Sequence, residues 1–386
     1  MGAMYELGVL RALDDCVDGL NLNRLDTYVG VSSGAFIAAG LANNINSAQM
    51  CRIFINANSR EHPFKPELFL RPAWKEYQRR LADLPGALTD ALLTFFRNPT
   101  AMPITEAISQ LARVIPSGLF DNAKVQAFLR EIFTLPGRTD VFTELEAKLV
   151  VVAVDLDTGL AVRFGEEGHR QVPISRAVQA SSALPGLFPP VEIDGRCYVD
   201  GALRRTLHAS VALDRGCDLL IAINPLVTFD SREYARVHGG TEPSKLVRGG
   251  LPTVLSQTFR ALIQSRMNVG LEKYATRYPA ADFMLVQPNP DDAKLFFTNV
   301  FSYAYRKRLC EHAYQDTRAK LRRHRERIAP VLECHELSLC NENLCDPERQ
   351  FDSDVDSVRG STNRYTSRLS STLDDLDDWL RHAANS

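Results

Sequence analysis

The sequence predicts an α/β fold, a central and mostly parallel sheet wrapped by helices, and three stretches carry that prediction. The first is Thr27-Tyr28-Val29-Gly30-Val31, followed by Ser32-Ser33-Gly34 and a run of small residues to Gly40: a short strand, a sharp turn and a helix. The second is a pair of continuous apolar runs, residues 149–154 and 219–223, of the length and composition of buried strands. The third is Asp194-Gly195 between two alternating segments, a hairpin signal.

Composition agrees. The 386 residues are 45% hydrophobic and 24% charged, enough for one large α/β domain with insertions or for two domains. A net charge of -2 gives no basic footprint of a nucleic-acid binder. No apolar run reaches the length of a membrane span. Met1 leads into an amphipathic helix with acidic residues rather than a basic region and apolar core, so no secretory signal is expected. The eight scattered cysteines read as reduced thiols of a cytoplasmic protein. Cys334, Cys340, Cys345 and His335 cluster loosely, but at spacings wider than zinc-ligand pairs, and no metal or cofactor is expected.

In order along the chain, residues 2–14 predict a helix with Leu7, Leu10 and Leu13 on one face. The elbow strand and helix follow. Residues 43–138 read as a helical insertion or lid cut by eight prolines. Within it, Leu88, Leu92, Phe95 and Phe96 recur at helical spacing, either as a core face or as an apolar lid that lies on lipid. Residues 148–154 and 160–164 predict a strand and its returning hairpin partner, and residues 175–182 a short helix. Residues 191–193 and 197–199 flank the Asp-Gly turn, and the second of these strands delivers Asp200-Gly201-Ala202. A buried strand at 217–225, a polar loop at 229–250, a helix at 251–278 and a strand at 281–287 come next. Residues 295–331 are helical and basic, a solvated face or a docking face for anionic headgroups. The main folded unit is expected to span 1–332. Residues 333–386 read as a polar, largely disordered tail, ending in a short amphipathic helix at 372–382.

Gly30, Ser32 and Gly34 fit the G-x-S-x-G elbow, in which the serine sits at a strained corner with its hydroxyl clear of the backbone. The helix behind it aims its N–H groups at developing negative charge, and the N–H of Ser33 joins the oxyanion hole. By chance the pentapeptide occurs in about one chain in ten of this length, so it needs support. An activated serine needs a base. His62, His169, His208, His238, His312, His324, His335 and His382 are the histidines, and none has a context prepared for catalysis. Asp200 closes a strand before Gly201-Ala202, where it is either a turn cap or a desolvated carboxylate able to take a proton from Ser32.

The chain resembles the patatin-like phospholipase family. The matching pieces, in family order, are Gly2-Ala3-Met4-Tyr5-Glu6-Leu7-Gly8-Val9-Leu10, Gly30-Val31-Ser32-Ser33-Gly34, Ala180-Ser181-Ser182-Ala183-Leu184-Pro185-Gly186-Leu187-Phe188-Pro189-Pro190 and Asp200-Gly201-Ala202. The resemblance implies a three-layer sheet with helices on both faces. It also implies a Ser-Asp dyad with Ser32 as nucleophile and Asp200 as base, and no metal. The substrate would be a fatty acyl ester of a phospholipid or neutral lipid, met at a membrane surface by a protein that is otherwise soluble. Gly2 and Ser33 would serve the oxyanion hole, with Gly30 and Gly34 in the elbow and Gly201 and Ala202 in the base loop. The family's glycine-rich oxyanion loop is G-G-G-x-x-G after a strand, and only its last glycine, Gly2, matches. The natural chain is therefore expected to begin upstream, since one lost oxyanion donor can cost about 2.7–4 kcal/mol. A complete chain of this sequence would be a weak hydrolase or an inactive lipid- or partner-binding protein. A histidine-dependent esterase is a further alternative.

Overall fold

The computed structural model describes residues 2–55, 72–73, 76–78, 116–204, 207–238, 245–297 and 303–353. The proposed lid helix at 88–97 and tail helix at 372–382 lie outside these residues, as does most of the 43–138 insertion.

The chain opens with α1 (Gly2–Cys16), β1 (Val17–Asp18), β2 (Thr27–Val31), α2 (Ser33–Ala42) and α3 (Ser47–Phe54). Asn46 and Gln49 form a reciprocal capping box at the start of α3. Then come α4 (Ala123–Phe133), β3 (Lys148–Asp155), β4 (Ala161–Phe164), α5 (Ile174–Ser181), β5 (Val191–Ile193) and β6 (Arg196–Asp200). The rest is α6 (Ser210–Leu213), β7 (Leu219–Ile223), α7 (Ser231–His238), α8 (Lys245–Arg248), α9 (Gly250–Arg277), β8 (Asp282–Val286), α10 (Ala293–Phe297), α11 (Tyr303–Arg323), α12 (Arg325–Cys334), β9 (Ser338–Leu339) and α13 (Asn341–Cys345).

A five-stranded sheet runs β2-β3-β6-β5, with β4 on β3. The α/β class is as expected, but the sheet is mixed rather than mostly parallel. Only β2 and β3 are parallel in it, while β4 and β6 run antiparallel to β3, and β5 antiparallel to β6. Two tight turns cause this. Asp155 Oδ1 accepts the N–H groups of Asp157 and Thr158 and folds β4 back, and Asp194-Gly195 joins β5 to β6 with both residues at positive φ.

Helices cover the sheet. α2 packs on β2 and β3, α5 on β3 and β6, and α1 lies against α2 and α11. Tyr5, Leu7, Leu13, Leu149, Val151, Ala177 and Tyr314 are buried in this one core.

A parallel pair, β7 with β8, forms a separate sheet. Residues 217–225 were expected to be a buried strand, yet Leu219, Leu220, Ile221 and Ile223 are only half-buried. The reason is that, among the described residues, β7 pairs on one edge only and lines an open cleft also lined by β2.

Three further readings need correction. The polar loop at 229–250 contains α7 and α8, α7 being started by Asp230 Oδ1, which accepts the N–H groups of Arg232 and Glu233. The basic run is not simply a solvated face, because Arg306 and Arg318 are buried. The start of the polar tail is not disordered: residues 338–353 dock on α1 and α11. There β9 pairs with β1 and Phe351 is buried. Arg318 donates to the carbonyls of Asn343, Asp346 and Arg349, and Arg11 Nε to that of Phe351.

Arg349 completes this docking. It donates to both oxygens of buried Asp15, which also accepts a 2.6 Å bond from Tyr314. Burial alone would raise the Asp15 carboxyl, but the bonds from Arg349 and Tyr314 and the charge of Arg11 outweigh it and hold the group below its ordinary value.

Candidate active site

β2 ends at Val31 and α2 begins at Ser33, so the turn between them is Ser32 alone, at φ 54° and ψ -123°. A residue with a side chain pays roughly 1–3 kcal/mol to stay in such a region. Neighbours hold it there. The Ser32 N–H donates to Ser181 Oγ at 2.9 Å, Ser181 Oγ donates to the Val152 carbonyl at 2.6 Å, and Ser182 Oγ donates to the Ser32 carbonyl at 3.3 Å. Gly30 is required because a Cβ there would lie 2.7 Å from the Gly34 carbonyl oxygen and overlap Ala35.

Asp200 ends β6 and is buried. Its Oδ2 accepts a 2.6 Å hydrogen bond from Ser32 Oγ, and its Oδ1 accepts the Ala202 N–H at 2.9 Å. The register accounts for the meeting: Val31 pairs with Val152, and the next residue of β3, Ala153, pairs with Asp200. The Asp200 N–H donates to the Ala183 carbonyl, so the 181–183 segment supports both residues. Gly201 lets this loop close over β3, since a Cβ would sit 2.9 Å from the Val152 carbonyl carbon. Burial pushes the Asp200 carboxyl up to about 6, and the bonds from Ser32 and Ala202 hold it below what burial alone would give. Near neutral pH it is a largely ionised carboxylate in contact with a hydroxyl, an arrangement chemically able to take the hydroxyl proton.

Ser33 and Gly34 open α2, where helix geometry leaves the first N–H groups without intrahelical acceptors. Gly2 opens α1 beside them, close enough that a Cβ would collide with Ser33 Oγ. Ser33 Oγ donates to Glu6 Oε1 at 3.2 Å, while Glu6 Oε2 is buried with no partner among the described residues. Burial pushes the Glu6 carboxyl up to about 7, against the lowering effect of the Ser33 bond. A cleft of about 790 Å³ reaches this corner, lined there by Gly2, Glu6, Ser32, Ser33 and Ala202.

The residues named from sequence, Gly2, Gly30, Ser32, Ser33, Gly34, Asp200, Gly201 and Ala202, thus converge at one corner. Among the described histidines, His312 bonds Asp292 at 2.6 Å and His335 bonds Asp282 at 2.8 Å, and the side-chain partner of Ser32 is Asp200. His62 and His382 lie outside the described residues. No group of three or more metal-ligating side chains forms among the described residues.

Sequence reasoning missed two features. The support from Ser181 and Ser182 was present as letters without a role. Glu6 had a readable signal, an acidic residue within an otherwise apolar helix face.

Fold and site together define an α/β protein with an elbow serine bonded to a buried carboxylate. A family model described as "Patatin-like phospholipase" matches residues 1–213, more than half of the chain, and the chain belongs to that family. An 81-residue stretch is 33% identical to uncharacterized NTE family proteins of Mycobacterium bovis and Mycobacterium tuberculosis. It covers 21% of this chain and 21% of each relative, so the match spans about a fifth of the relatives' length. The crystal structure of VipD from Legionella pneumophila superposes with a TM-score of 0.36 at 16% identity, covering 84% of this chain and 65% of that one. No helix among the described residues is long and apolar enough to cross a membrane.

Proposed function

We propose that the protein is a serine lipid acyl hydrolase that cleaves fatty acyl esters with a Ser32–Asp200 dyad. The observation that carries this reading is the 2.6 Å bond from Ser32 Oγ to Asp200 Oδ2 at a strained elbow. Asp200 takes the hydroxyl proton as Ser32 Oγ attacks the ester carbonyl. The negative charge of the tetrahedral intermediate forms at the start of α2, where the N–H groups of Ser33 and Gly34 and the helix dipole favour it, with Gly2 alongside. The proton then passes from Asp200 to the leaving alkoxide, and an acyl-Ser32 ester remains. A water deprotonated by Asp200 attacks this ester, releases the fatty acid and restores the Ser32 hydroxyl. No step calls on a metal or cofactor.

Ester hydrolysis by the full chain, on short soluble and long-chain substrates, tests this. Ser32→Ala and Asp200→Asn are each expected to abolish turnover. Turnover that survives Asp200→Asn but falls with one histidine substitution would replace the dyad with a histidine base. No turnover in the parent, with lipid binding retained, would favour the binding-protein reading.

A further inference from the structure

The helix α9 is apolar on two opposite sides. Inward, Arg260, Ile263 and Met267 are buried, with Arg260 Nη1 donating to the Val227 carbonyl at 3.0 Å and its guanidinium 4.8 Å over the Phe296 ring. Outward, Leu251, Leu255, Leu262 and Val269 recur at steps of four, seven and seven, which places them on one stripe. With Val254 and with Val247 of α8, they are 42–74% exposed. These six make up half of the large apolar side chains exposed among the described residues. Scattered exposed leucines need no explanation, but a row of them along one helix face points to a partner surface.

The charge beside the stripe narrows the partner. Arg266 and Lys273 are exposed on its flank and form no ion pair among the described residues, whereas Arg277 is held by Asp214 at 3.0 Å. Glu272 is the single acid of α9. Arg204, Arg266, Lys273, Tyr274 and Tyr278 also line a cavity of about 420 Å³ between α9 and the segment after Asp200. Arg266 Nη1 donates to the Leu203 carbonyl at 2.7 Å and ties the helix to that segment. A second copy docked on this face would bring the two cationic flanks together with Glu272 as the one acid of each α9, which like-charge repulsion opposes.

We propose that the outer face of α9 docks the protein on an anionic lipid bilayer. The stripe enters the boundary between headgroups and acyl chains, and Arg204, Arg266 and Lys273 take lipid phosphates. The choice of lipid over a protein partner rests on the hydrolase reading, while the docking itself is measured without turnover.

The test uses the full chain carrying Ser32→Ala and vesicles of phosphatidylcholine, with or without phosphatidylglycerol. Co-sedimentation is expected only with phosphatidylglycerol. Leu255→Ser with Leu262→Ser should weaken it by about tenfold or more. Arg266→Gln and Lys273→Gln should each weaken it by about fivefold at low salt, a loss that disappears at high salt. Val141→Ser, at an exposed apolar residue outside α9, should leave binding unchanged. The proposal is overturned if the leucine variants bind as the parent does, or if phosphatidylcholine alone suffices. It is equally overturned if the leucine pair lowers the melting temperature by several degrees or dissociates a dimer, since protein then covers the stripe. Vesicle binding without ester turnover by the unmodified chain would remove the hydrolase reading and leave this surface standing. Turnover of a short soluble ester without vesicle binding would do the reverse.

Discussion

Ser32 Oγ and Asp200 Oδ2 stand 2.6 Å apart although 168 residues separate them in sequence. The strand between them makes this possible. β3 pairs with β2 on one side and with β6 on the other, and its adjacent residues Val152 and Ala153 meet Val31 and Asp200. The Ser32 hydroxyl and the Asp200 carboxylate are therefore set by sheet register rather than by a mobile loop, and the following expectations come from that arrangement.

The buried Asp200 carboxyl should be both needed and costly. Its value is raised from 3.8 to about 6, so the folded protein holds the proton more tightly than the unfolded chain does. Stability from this group is present below the unfolded value and is lost as pH rises through about 6. Asp200→Asn should therefore be more stable than the parent above that range, by at most about 3 kcal/mol, and less so near pH 4. Ester turnover should rise with pH around 6 as the base ionises. Thermal unfolding and kcat/KM across pH check both signs.

Ser181 should matter for turnover although it does not face the ester. It joins the Ser32 N–H to the Val152 carbonyl. Ser181→Ala leaves both groups unpaired at about 1–3 kcal/mol of stability, and relaxes the elbow. A fall in kcat on the order of tenfold to a hundredfold with little change in KM is expected from steady-state kinetics.

Gly201→Ala should disturb the base loop. The added methyl meets the Val152 carbonyl and the Val31 side chain, and relief of that clash shifts the turn that follows Asp200. Overpacking of this kind costs roughly 1–3 kcal/mol, and denaturant unfolding with activity measured in parallel should show both losses.

Arg349→Ala should release the docked segment at 338–353. Asp15 would keep a buried charge without its bidentate partner. Breaking such a pair costs about 3–5 kcal/mol. Hydrogen exchange should show faster exchange at Leu339 and Phe351, which a purely local effect would leave unchanged.

How far these features could be read from the sequence depended on their range. The elbow and the Asp200 loop are local patterns of a few residues, and Gly30 and Gly201 stand where backbones approach closely. The hairpins after Asp155 and around Gly195 were readable from turn chemistry. The antiparallel place of β6 beside β3 was not, because pairing between distant strands leaves no local mark. The order of residues 338–353 was hidden for a related reason: the segment is polar and lacks periodicity, and its structure comes from Arg11, Arg318 and Asp15 elsewhere in the chain. Half-burial of β7 likewise depends on which of its edges is paired.

The most direct test of the central claim is labelling of the full chain with a serine-reactive fluorophosphonate, with the modified peptide located by mass spectrometry. One adduct is expected, on Ser32, forming faster as Asp200 ionises and lost in Asp200→Asn. No adduct on Ser32, or an adduct that forms equally fast without the Asp200 carboxylate, would contradict it.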